Sequence, residues 1–314
     1  MKYAIVIDSS AALPESFIKE RPIKKLPLIV NIDGEEFPDH TSTKRLLKVY
    51  ASGKINVKAD IQTSPPTQEE IKEFFLKKIV PKYDVAICLI VSKEISPLFD
   101  SISAVAHSIA AESKALRDKL GIEHPFRVTY MNTGTAAAGH GLVAVYADVV
   151  LSKGMGFAKY KIQVENFKKV AKSFTVLEDI VYSRYRARLR GHDVVPLSTA
   201  LIGKAIGLAP IALIQNDIVD PVSKQIGFSK AVNRLFDYAI MRIEEGLHLN
   251  CINVSYGGPS SDLEEYSSFL ELQKKCKQSN VVLLVGVSNL ATAVNFSPKS
   301  VSLGIAPRNH KAIP

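Results

Sequence analysis

The chain has little of what most catalytic centres are built from. Its three cysteines, Cys88, Cys251 and Cys276, form no CxxC or Cys/His cluster, which excludes a disulfide framework and suits a reducing cytoplasm. None of its seven histidines sits in ligand spacing with a cysteine or an acidic cluster, so no metal ligand is expected. HExxH, GxSxG and the protein-kinase set are missing, and the glycines of Gly257-Gly258-Pro259 are too few and wrongly spaced for a dinucleotide or P-loop fingerprint. Apolar runs such as Val85 to Val91 fall far short of the ~20 residues that span a bilayer. The start of the chain enters a strand after one lysine and lacks the apolar core of a signal peptide. Together these absences predict a cytoplasmic protein with no catalytic residue, cofactor, metal or transmembrane segment.

What is present is a sizeable core. The 314 residues are 46% hydrophobic, which suits two domains. Lysine and arginine outnumber the acids 40 to 31, giving +9 with histidines neutral. That balance fits an anionic partner or plain lysine enrichment and decides nothing alone.

The first half alternates strand and helix. Tyr3 to Ile7 and Leu26 to Ile32 read as strands, the second turning at Asp33-Gly34. Thr67 and Glu70 make a capping box for a helix with Ile71, Phe74 and Phe75 on its apolar stripe. Val85 to Val91 reads as a strand buried on both faces, followed by a helix through Ile102, Val105, Ala106 and Ile109 to Gly121. Phe126 to Met131 is a further strand, and 135–151 a helix of small residues in which His140 packs. Repeated strand-helix-strand units predict an α/β fold, with a mostly parallel sheet flanked by helices. After a break at 152–156 comes a second α/β unit. In it Ser198 caps a short helix, Asn216-Asp217 makes a turn, and Ser261 with Glu264 makes a capping box. The expected domains are 1–155 and 156–314.

Hydroxyl-rich loops stand at the strand ends, where ligands of open parallel sheets bind. Asp8-Ser9-Ser10 follows the first strand; Ser9 and Ser10 can donate to an oxyanion, or the segment is an ordinary turn with a helix cap. Thr63-Ser64-Pro65-Pro66-Thr67 supplies three hydroxyls where a cap needs one, with two prolines fixing the backbone. Ser92, Lys93 and Ser96 leave the most buried strand and can share the same anion. Arg184, Arg186, Arg188 and Arg190 recur at every second residue. On a strand they share one face; on a helix 184/188 and 186/190 take roughly opposite sides. They form either a solvated face or a docking site for a partner.

These segments resemble the DegV family. Asp8-Ser9-Ser10-Ala11-Ala12-Leu13-Pro14 is similar to its opening Asp-Ser-Thr and Leu-Pro, and Leu26-Pro27-Leu28 with Asp33-Gly34 to its next strand and turn. Thr63 to Thr67 resembles its Thr-Ser-Gln-Pro-Ser box, and Ser92, Ile95, Ser96, Phe99 and Ser101 its Ser-Ser-x-Leu-Ser-Gly-Thr-Tyr-x-Ser run, with Pro97-Leu98 in place of Gly-Thr. Asn132-Thr133 falls where the family has Asp-Ser, and the Gly-Gly-Arg-Ile signature is blurred into 184–191. The stretch after Val254, where relatives that serve a kinase often carry a histidine, is Ser255-Tyr256-Gly257-Gly258-Pro259 here.

The resemblance implies a two-domain lipid carrier that buries one long-chain fatty acid in an apolar tunnel between its domains. The carboxylate is presented to a separate fatty acid kinase. By position, Thr63, Ser64, Ser92 and Ser96 are expected to hold the carboxylate, with Asp8, Ser9, Ser10, Lys93, Asn132 and Thr133 in the adjoining loops. Two other readings are a small-molecule enzyme acting on a phosphorylated or carboxylated substrate with Asp8 as general base, and a basic module docking nucleic acid or anionic membrane through Arg184 to Arg190; of the partners, nucleic acid is not the expected one.

Overall fold

The computed structural model describes residues 1–39, 42–191, 196–309 and 311–313. The first half runs β1 (Tyr3–Asp8), α1 (Glu15–Lys19), β2 (Ile23–Leu26), β3 (Ile29–Ile32), β4 (Glu35–Pro38), α2 (Thr43–Ala51), β5 (Ile61–Ser64), α3 (Gln68–Phe74), β6 (Val85–Ile90), α4 (Leu98–Lys119), β7 (Arg127–Asn132) and α5 (Ala137–Ser152). It continues with α6 (Phe157–Val170), β8 (Lys172–Val176), α7 (Ile180–Leu189), α8 (Leu197–Ala205), β9 (Leu208–Gln215), β10 (Ile218–Ile226) and α9 (Phe228–Glu245). Last come β11 (Cys251–Tyr256), α10 (Ser267–Gln278), β12 (Val282–Val287), α11 (Leu290–Phe296) and β13 (Val301–Ile305).

The first sheet is parallel, in the order β2-β1-β6-β7. Every residue of β6 is buried, as its unbroken apolar run predicts for a central parallel strand. The second sheet is mixed, in the order β10-β9-β8-β13-β11-β12. Between the two lies α5, which touches β1 and β6 on one side and β8, β11 and β13 on the other. Small residues let it fit. A Cβ on Gly304 would stand 2.3 Å from the Ala138 carbonyl oxygen, and one on Gly141 2.5 Å from that of Ala12. Gly304→Ala is therefore expected to cost about 1–3 kcal/mol in a denaturation midpoint, because backbone on both sides must separate; an unchanged midpoint would show that the two layers are not so tightly set. His140 is fully buried on α5 and bonds through Nε2 to the Leu89 carbonyl, a packing role.

The expected strand from Leu26 to Ile32 is two strands in different sheets. Pro27 has no N–H to continue the ladder, and the Leu28 amide donates to Ser9 Oγ instead, at 3.0 Å. β3 then starts a small antiparallel sheet, β4-β3-β5, with Asp33 (φ 53°) and Gly34 (φ 87°) closing the first hairpin. Thr63-Ser64 thus ends an edge strand rather than lying in a loop. The Thr67–Glu70 capping box forms, and a π-helical turn, Phe75–Ile79, carries that helix on. Two caps do not form. α8 begins behind Pro196 with no side-chain cap, so Ser198 lies inside it. Residues Ser260–Glu265 wind as a 3₁₀ turn, which moves the start of α10 past the Ser261–Glu264 pair.

Candidate anion-binding cavity

A cavity of about 600 Å³ lies where β5, the loop after β6, α7 and α11 meet. Its apolar wall includes Leu28, Ile61, Val91, Ile95, Leu189 and Val294. Its polar lining includes Thr63, Ser64, Lys93, Ser96, Arg186, Arg190 and Asn295, with Glu94 and Asp100 as the acidic members. The structure thus gathers Thr63, Ser64, Lys93 and Ser96 from two separate stretches of sequence.

The arginine run is helical, on α7, so 186 and 190 share one face and turn it to the cavity. Arg186 is 4% exposed, which takes it off any docking surface. Its Nη1 donates to the Ile61 carbonyl, and its guanidinium carbon stands 5.2 Å from the Tyr182 ring centroid and 5.5 Å from that of Tyr185. Its Nε and Nη2, the edge that donates side-on to a carboxylate, have no hydrogen-bond partner among the described residues. Arg190, exposed at the cavity edge, donates to Asn295 Oδ1. Arg188 is exposed on the same helix.

The remaining expected residues serve the frame. Asp8 Oδ1 accepts the Ser10 amide at 3.0 Å and hydroxyl at 2.5 Å, and Oδ2 accepts the Val91 amide at 2.8 Å. With its oxygens so engaged and only 2% exposed, Asp8 joins the ends of β1 and β6 and is not placed as a general base. Ser10 borders the cavity with its hydroxyl turned to Asp8. Ser9 is fully buried, between the Leu28 amide and Asp39. Ser92 is fully buried too; its hydroxyl donates to Asp217 Oδ1 at 2.7 Å, and it does not line the cavity. Asn132 Nδ2 donates to Asp217 Oδ2 at 2.6 Å, and Thr133 Oγ1 to the Ile90 carbonyl at 2.8 Å.

Two residues were not legible as participants. Asp39, 1% exposed, accepts the Leu290 and Ala291 amides at 3.1 and 3.0 Å; burial raises its pKa, against those bonds, the Lys25 charge and the Ser9 hydroxyl. Asn295 gave no signal beyond sitting after a run of apolar residues. Burial also pushes the thiols up, Cys276 to about 11, so none is a ready nucleophile near neutral pH. Among the described residues no group of His, Cys, Asp or Glu could hold a metal ion, and no helix is long and apolar enough to cross a membrane.

Fold and cavity define an α/β protein with a positively charged, half-apolar chamber where β5, the loop after β6, α7 and α11 meet. Residues 2–308 match the model of the family described as uncharacterised protein, DegV family, and the chain belongs to that family. A DegV domain-containing protein of Xanthomonas campestris pv. campestris is 28% identical over 310 residues, 99% of each chain. The crystal structure of DegV, a fatty acid binding protein from Bacillus subtilis, aligns with a TM-score of 0.73 at 18% identity over 98% of this chain and 100% of that one. A DegV family protein from Ruminococcus gnavus, solved with vaccenic acid, gives 0.73 at 16% identity over 97% and 99%. These structural likenesses establish the α/β fold.

Proposed function

We propose that this protein is a carrier that binds one long-chain fatty acid in the cavity, closed by the halves 1–155 and 156–314. The observation that carries this reading is the edge of Arg186 left without a hydrogen-bond partner among the described residues, on a buried cation that gains most from an anion able to take two parallel N–H bonds. A carboxylate there also reaches Thr63, Ser64 and Ser96, which line the same space. The Ile61 carbonyl faces Arg186 across the free edge of β5, so the Thr63 N–H, two residues on, points to the same side and adds a backbone donor. The acyl chain lies along Leu28, Ile61, Ile95, Leu189 and Val294, each buried methylene adding about 0.8 kcal/mol. The fatty-acid binding named for the Bacillus subtilis relative and the vaccenic acid held by the Ruminococcus gnavus protein support the same ligand class.

Changing Thr63→Val and Ser64→Ala together is expected to weaken oleate binding about tenfold or more in displacement titrations. Unchanged affinity would remove these hydroxyls from the site. In the finer reading the loaded carrier works in the cytoplasm and presents its carboxylate to a separate fatty acid kinase. Arg188, exposed beside Leu189 at the cavity rim, is one member of the arginine run able to meet that partner. Loaded protein, a fatty acid kinase and ATP should then yield acyl phosphate, and Arg188→Glu should slow the reaction without releasing lipid. No product from loaded protein would end the kinase reading and leave the carrier reading standing.

A further inference from the structure

We infer that Asp217 is a positioning residue: from the second sheet it fixes the 91–97 loop that forms one wall of the cavity, and so governs how long a ligand stays. The inference rests on the reading of the cavity as a fatty-acid site.

Asp217 sits at the tip of the β9–β10 hairpin. With Asn216 (φ 51°) and Asp217 (φ 65°) both left-handed, the turn has two residues, and asparagine and aspartate are the side chains that tolerate it. The tip reaches past its own sheet to the carboxyl ends of β6 and β7. Asp217 Oδ1 accepts the Ser92 hydroxyl at 2.7 Å, and Oδ2 accepts Asn132 Nδ2 at 2.6 Å. The Asp217 amide donates to the Gly134 carbonyl at 3.0 Å. The approach needs a glycine: a Cβ on Gly134, itself at φ 65°, would stand 3.1 Å from the Asn216 Cα. Asn132 Oδ1 accepts the Gly134 amide at 3.0 Å, which orients its NH₂ toward Asp217.

From Ser92 the connection runs into the cavity wall. The Ser92 carbonyl accepts the Ile95 amide at 3.0 Å and the Ser96 amide at 3.1 Å, and the Ser92 amide donates to Thr135. Ile95 and Ser96 line the cavity, as do Lys93, Glu94 and Pro97. Ser92 is therefore the pivot of the loop, and its hydroxyl is held by one carboxylate from the other half of the chain. Bonds to an ionised acceptor are the stronger kind, and two of them converge on this side chain. An internal carboxylate thus takes the hydroxyl that the sequence assigns to the ligand. It uses it to hold the wall still rather than to hold the head group.

The test measures hydrogen exchange of the 91–97 amides and the rate of oleate dissociation, in parent, Asp217→Ala, Asp217→Asn, Ser92→Ala and the Asp217→Ala, Ser92→Ala pair. Asp217→Ala is expected to speed both about tenfold. Asp217→Asn keeps the turn and one acceptor oxygen and is expected to give about a threefold change. Ser92→Ala should reproduce the alanine effect, and the pair should add less than about twofold to either single change, because each removes the same bond. Unchanged exchange and dissociation in Asp217→Ala, even with a lowered melting temperature, would overturn the inference and leave Asp217 a support for its hairpin. Effects that multiply in the pair would also overturn it. A parent protein that retains no oleate would refute the fatty-acid reading instead, while the exchange measurement would still decide whether Asp217 holds the loop.

Discussion

Arg186→Met is expected to weaken fatty-acid binding at least about a hundredfold while leaving the ligand-free protein within about 1 kcal/mol of the parent. The two halves of that expectation have separate causes. In the free protein Arg186 is a desolvated cation whose Nε and Nη2 have no hydrogen-bond partner among the described residues, with Arg190 one turn away on the same face. Its removal relieves the cost of a buried charge, and the flexible methionine can fill the space against Tyr182 and Tyr185. Against that stands the Ile61 carbonyl, which loses its bond to Nη1. With ligand bound, two parallel charge-assisted bonds and the neutralisation of a carboxylate are lost at once. A ligand that binds only the folded state raises the melting temperature in proportion to its occupancy. Melts with and without oleate should therefore show a shift in the parent that largely disappears in Arg186→Met. A full shift in the variant would mean that the carboxylate is held elsewhere. Arg188→Met, on the exposed side of α7, should behave as the parent.

The second large effect lies in the frame. Arg117 is 2% exposed on α4 and spends its guanidinium on four acceptors: the carbonyls of His124, Val80 and Tyr83 at 2.6, 2.8 and 2.7 Å, and Asp84 Oδ1 at 2.7 Å. It stitches the end of α4 to the turns on either side of it, just ahead of β6 and β7. Arg117→Met leaves three carbonyls and a partly buried carboxylate without their donor, and is expected to cost about 3–5 kcal/mol in a urea titration. The effect also has a pH signature. Burial pushes the Asp84 carboxyl up, but the Lys2 amide and the Arg117 guanidinium outweigh it and hold the pKa below the usual carboxylate range. A carboxyl held lower in the folded state adds stability above its unfolded pKa of ~3.9 and loses it as pH falls through the folded value. The gap between parent and Arg117→Met should therefore narrow below about pH 4. A gap constant from pH 7 to pH 3 would show that the ion pair contributes nothing beyond the carbonyl bonds.

Much of the frame was legible because it follows periodicity. The apolar run of β6, the Thr67–Glu70 capping box and the hairpin turns at Asp33-Gly34 and Asn216-Asp217 all formed as local rules require. What failed was decided by contacts distant in sequence. Leu26 to Ile32 looked continuous, yet Pro27 divides it between two sheets because the Leu28 amide is satisfied by Ser9. The site shows the same division. Thr63, Ser64 and Ser96 do border the cavity, as their position at strand ends and helix starts suggests. Ser92 looked equivalent to them, but a residue 125 positions away claims its hydroxyl. The arginines pointed two ways at once, since their spacing suits a strand face or two helix faces. Only tertiary packing buried 186 and left 190 exposed at the cavity edge, and Arg186 then supplied the cavity's most exacting group.

The most direct test is the ligand itself. Protein purified without detergent or organic solvent is weighed by native mass spectrometry, then denatured, and the released lipid is identified. One equivalent of a long-chain fatty acid is expected, retained by the parent and lost from Arg186→Met. Parent protein that is empty and also refuses added oleate would contradict it.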